Sequence, residues 1–87
     1  MPYIKKENRP KWDTFIQPII EELKKEAPET IDGTLNYMIT KILKNIYPAK
    51  YYHYNKAIGL LECIKQEFYR RVVGPYEDIK IQENGDV

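Results

Sequence analysis

One histidine and one cysteine, His53 and Cys63, stand in this sequence of 87 residues. A thiol beside an imidazole is the least that nucleophilic catalysis needs, because the imidazole takes the thiol proton. Here the two lie ten positions apart, and Cys63 sits among Leu60, Leu61 and Ile64. Such surroundings favour a small buried residue over a reactive thiolate. Two ligands of this kind do not complete the tetrahedral site that zinc requires. Carboxylates are more numerous. Glu21, Glu22, Glu26 and Glu62 are the set on which a magnesium-dependent helical hydrolase would draw. However, Glu21 precedes Lys25 by four residues, and "EELKKE" reads as a solvated, ion-paired helix face. Glu62 and Glu67 are five apart, which takes them off one face. The sequence holds no Gly-rich phosphate loop, no GxSxG and no HExxH. These residues predict no catalytic, cofactor or metal site and no enzyme. A metal-dependent hydrolase is the most distant reading.

Binding chemistry is better represented. Between Gly33 and Pro75 the charges are Lys41, Lys44, Lys50, Lys56, Lys65, Arg70 and Arg71 against Glu62 and Glu67. Beyond Pro75 the balance reverses, with Glu77, Asp78, Glu83 and Asp86 against Lys80. A basic middle and an acidic end predict contact between the two, within one chain or between copies. The middle also interleaves Tyr47, Tyr51, Tyr52 and Tyr54 with lysines in "KNIYPAKYYHYNK". Three uses fit that cluster: covering the end of a helical core, a protein interface, or stacking on single-stranded nucleic acid. Net charge is only +1, so the whole chain has no bias toward nucleic acid.

The elements that position these residues are helical. In "PKWDTFIQPIIEELKKE", Trp12, Phe15, Ile16, Ile19, Ile20 and Leu23 recur at the spacing of one helix face. Pro10 suits a first turn, while Pro18 deletes an interior hydrogen bond and predicts a kink or a short break. Pro28 and Gly33 then end the segment. A second helix is expected from a cap at Asp32, Gly33 or Thr34 to Pro48, with Leu35, Met38, Ile39, Ile42, Leu43 and Ile46 on its stripe. The third, "YNKAIGLLECIKQEFYRRVV", is the longest and is apolar around more than one face. Gly59 and Cys63, one turn apart, allow close approach by another helix, or are simply small side chains that the helix tolerates.

Gly74 is expected to end that helix and Pro75 to open a short new one, with Glu77 and Asp78 at its positive end and a stop at Asn84-Gly85. "DIKIQ" alternates in polarity, which leaves a short strand as the competing assignment for residues 79–87. Arg71 is spaced to pair with Glu67, and Arg70 to reach the acidic segment from Glu77. Tyr76 and Ile79 are expected to fold back near Phe68 and Val72.

The whole is read as one domain, residues 1–87: all-α, a small bundle of three main helices plus a short C-terminal helix. A chain of this length buries only about 60–65% of its unfolded surface, which favours association with a second copy. The preferred function is a non-enzymatic protein–protein interaction or oligomerisation module, a homodimer with an unidentified protein partner. Its candidate interface residues are Gly59, Cys63, Tyr51, Tyr52, Tyr54, Arg70 and Tyr76. The alternative is a nucleic-acid-binding protein using the basic tyrosine-rich middle. A lone cysteine fits a reducing cytoplasm, and no apolar run approaches membrane-spanning length.

"MPYIKKENR" at the start and the pattern "EFYRRVV-PYED-KI-ENGDV" at the end, with "GTLNYMITKIL" and "IGLLECIK" between them, resemble a family of small uncharacterised microbial proteins classed as a domain of unknown function. The resemblance runs over nearly the whole chain and implies a self-contained domain. It brings no activity, substrate or site residue.

Overall fold

The computed structural model describes residues 3–87 and is all-α, with three main helices and a short C-terminal one. No strand occurs among the described residues. The chain divides into two units, Met1–Ile46 and Tyr47–Val87.

In the first unit a 3-10 turn, Lys6–Asn8, leads into α1 (Arg9–Leu23), with Pro10 in the opening turn as its missing N–H allows. The break expected at Pro18 does not form. Helix α1 runs through it, and the carbonyl of Thr14, four residues earlier, lies on an exposed surface where water can take the lost bond. Helix α2 (Pro28–Ile46) begins four residues before Asp32, the earliest of the expected caps, so Gly33 is interior rather than a cap. The reason is local. Pro28 is preset for a first turn, the Ala27 carbonyl accepts bonds from the Thr30 and Ile31 amides, and Ile31 adds a turn to the stripe of Leu35 and Met38. At the joint the Glu26 carboxylate accepts the Thr34 hydroxyl at 2.9 Å and the Thr30 hydroxyl at 3.4 Å. Leu23, Ile31, Thr34 and Met38 are half-buried, and a groove of about 180 Å³ lies among Ile19, Leu23, Thr34 and Met38. As expected, the helix stops before Pro48.

The second unit is one joined helical stretch. Lys50, extended at φ −140°, precedes α3 (Tyr51–Phe68), and its carbonyl accepts the amides of His53 and Tyr54. A π turn (Tyr69–Val73) connects α3 without interruption to α4 (Gly74–Asn84). Three expectations are corrected here. Gly74 does not end the long helix: its φ is −56°, and its N–H bonds to the Tyr69 carbonyl, closing an i→i+5 turn. The cause is Pro75, whose ring in a regular helix would press on the carbonyl four residues earlier, that of Arg71; the wider turn carries the helix past it. Because the axis continues, Tyr76 and Ile79 do not fold back on Phe68 and Val72. The strand assignment for the tail fails as well, since helix persists to Asn84. Gly85, at φ +89°, then ends it with its N–H on the Ile81 carbonyl, as the Asn-Gly stop signal predicts.

Candidate functional site

The apolar side chains that the sequence places on stripes are mostly uncovered. Among the described residues Ala57 alone is buried. Phe15 is 60% exposed on α1, Ile46 68% on α2 and Phe68 60% on α3. Apolar surface of this extent exceeds the singly scattered apolar residues that are ordinary on a monomer.

In the second unit the apolar stripe has an internal order. Tyr54, Ala57, Leu61, Ile64 and Phe68 alternate steps of three and four, the a and d positions of a heptad. Counting on, the next two such positions would be Arg71 and Pro75. The π turn absorbs one residue, and Val72, Tyr76 and Ile79 take the places instead. A single seam therefore continues from α3 into α4.

The polar groups around the turn hold its geometry. Glu67, only 16% exposed as a side chain, accepts Arg70 Nη2 at 2.9 and 3.0 Å on its two oxygens, and Arg71 Nε lies 3.6 Å away. Arg71 pairs with Glu67 as its spacing predicts. Arg70 does not reach the acidic segment; it turns back one helical turn to the same carboxylate. The residue that does reach it is Tyr69, whose hydroxyl donates to Glu77. That bond, and then the negative charge of Glu77, raises the Tyr69 pKa above the ordinary tyrosine value of 10.0.

Gly59 and Cys63 are exposed, and no atom lies within 4 Å of where a Cβ on Gly59 would stand. Counted at about 100° per residue, both fall on the side of the helix away from Phe68. Tyr51, Tyr52 and Tyr54 occupy the first turn of α3, with Tyr51 80% exposed. Lys56 Nζ stands 5.5 Å from the centre of the Tyr52 ring, and His53 meets that ring edge-on at 5.2 Å. Tyr76 lies on the seam with Lys80 Nζ 5.6 Å from its ring centre.

The acids weighed for a metal do not gather. Glu62 accepts Gln66 at 3.1 Å and pairs with Lys65 at 3.2 Å, and these partners, Gln66 first, lower its pKa. Among the described residues no group of three His, Cys, Asp or Glu side chains is placed to hold an ion. The start of helix α1 carries an aromatic patch that is not among the candidate interface residues. Arg9 donates to the Ile4 carbonyl at 3.2 Å and lies 5.8 Å from the Tyr3 ring centre, while Trp12 and Phe15 stand 6.1 Å apart. An open groove of about 380 Å³ runs between Tyr3, Ile4, Arg9, Trp12, Asp13 and Ile16. The signal for it was the run of Tyr3, Arg9 and Trp12 around a helix start.

The described residues are all-α, with exposed apolar stripes, and the stripe along α3 and α4 has heptad spacing. The chain belongs to the family described as Domain of unknown function (DUF6899), which matches residues 1–87. No curated protein and no solved structure matches it. No helix among the described residues is long and apolar enough to cross a membrane.

Proposed function

We propose that the protein is a non-enzymatic self-association module acting in the cytoplasm, whose apolar helix faces are covered by a second copy of the chain. The observation that carries this reading is the exposure of nearly every large apolar side chain on α1, α2 and the α3–α4 stretch, with Ala57 alone buried among the described residues. Isolated helices shorter than about 12–15 residues are marginal in water, and longer ones in proteins draw most of their stability from packing an apolar face. The three stripes thus need a partner, and a chain of 87 residues has little other surface to offer. Pairing with an identical chain is the commonest closed solution, because one self-complementary patch serves both copies.

Light scattering on the purified full-length protein tests this. A dimer mass at micromolar concentration, with helix content by circular dichroism that falls on dilution, is the expected result. A monomer mass with undiminished helix content across that range overturns it.

A further inference from the structure

Resting on the self-association reading, we infer that two copies pair antiparallel along the α3–α4 stretch, with the two-fold axis at the π turn. Three observations converge. The first is charge. The part beyond Gly74 holds Glu77, Asp78, Glu83 and Asp86 against Lys80, a net −3. Residues 53–65, which face 75–87 across an axis at residue 70, hold Lys56 and Lys65 against Glu62, a net +1. Since residues 51–84 form one joined helix of about 50 Å, its two ends cannot meet within the stretch. A parallel pair would stack the acidic end on its own copy, whereas an antiparallel pair sets it against the basic one. Arg70 and Arg71, near the axis, are already engaged by Glu67.

The second observation is register. In an antiparallel heptad pair an a residue of one helix faces a d residue of the other. Placing the axis at the π turn sets Phe68 opposite Val72, Ile64 opposite Tyr76 and Leu61 opposite Ile79. Each of these layers joins an a to a d. The extra residue of the turn then occurs at the same level in both helices, so the seams stay in phase on either side. With the axis elsewhere, the turn of one copy would face regular helix of the other.

The third is area. Ile64, Phe68, Val72, Tyr76 and Ile79 are all exposed, while Ala57 further toward the start is already covered. These five seam residues at about 100 Å² each remove on the order of 500 Å² per copy, about 1,000 Å² in all, the size that a specific interface has to reach.

Two experiments decide it on the full chain. The native thiol of Cys63 is exposed and off the seam, so it accepts a nitroxide label without a substitution. With the axis at residue 70 the two labels lie 14 residues apart along the pair, about 21 Å of axial offset, and the spin–spin distance must exceed that. A parallel pair puts them level, separated only by about 10 Å between helix axes plus the label arms. In a Cys63→Ser background, oxidation should link copies of the Ile64→Cys/Tyr76→Cys double variant and leave Ile64→Cys alone unlinked. A dimer whose labels lie level, or one linked through Ile64→Cys alone, overturns the antiparallel arrangement while leaving self-association intact. A monomer mass overturns both.

Discussion

Tyr69 and Glu77 are joined across the π turn: the phenol donates to the carboxylate eight residues on. No regular helix brings those positions together by the usual i, i+3 or i, i+4 geometry. The widened turn and the bond therefore support one another.

This bond carries a pH dependence. The folded Tyr69 pKa lies above the ordinary 10.0, so the bond's contribution is fully present below pH 10.0 and is lost as pH rises through the folded value. Glu77→Gln removes the charge that holds the proton. The prediction is that Tyr69, followed by the ζ-carbon resonance of labelled tyrosine, ionises above the ordinary tyrosine value and does so at a lower pH in Glu77→Gln. An unchanged Tyr69 titration in that variant would show that the bond does not form in solution.

Arg70 and Arg71 share Glu67, and each guanidinium is more than half exposed. Exposed ion pairs contribute about 0.2–1 kcal/mol, so Arg70→Ala should cost under about 1 kcal/mol and Arg71→Ala, with the longer contact, less still. Urea denaturation at fixed protein concentration measures both. A loss above about 2 kcal/mol for Arg70→Ala would mean that Arg70 holds something besides Glu67.

Gly85 adopts φ +89° and ψ 147°, a region open to glycine and strained for any side chain. Gly85→Ala should cost about 1–3 kcal/mol locally. The readout is amide exchange at residues 81–85, expected to quicken several-fold in the variant. Equal exchange in both chains would mean that the C-terminal cap holds nothing.

The helical class and all the main stripes were legible because apolar residues recur at helical spacing from Trp12 to Val73. The stops at Pro48 and Gly85 were legible because proline and glycine act within one or two residues. The start of α2 was misread because Asp32, Gly33 and Thr34 look like a cap, whereas Pro28 and Ile31 together make the earlier turn. At Gly74-Pro75 the sequence read as a break, since local rules treat proline as an ending. A π turn is an alternative that those rules do not distinguish, because it keeps the axis and alters only the bonding partner. Arg70 was misassigned for the same reason: with the axis continuous, the nearest carboxylate is behind it.

The π turn has a consequence for how relatives of this chain align. Along residues 51–84 a deletion of one residue rotates everything beyond it by about 100° and sends the later apolar positions to another side. Within Tyr69–Val73 the same deletion, together with alanine in place of Pro75, leaves an ordinary helix whose remaining heptad runs unbroken from Tyr54 to Ile79. A one-residue gap at that place in a homologous sequence is therefore structurally silent where no proline stands at the position of Pro75. The segment encodes a phase, and two different lengths satisfy it.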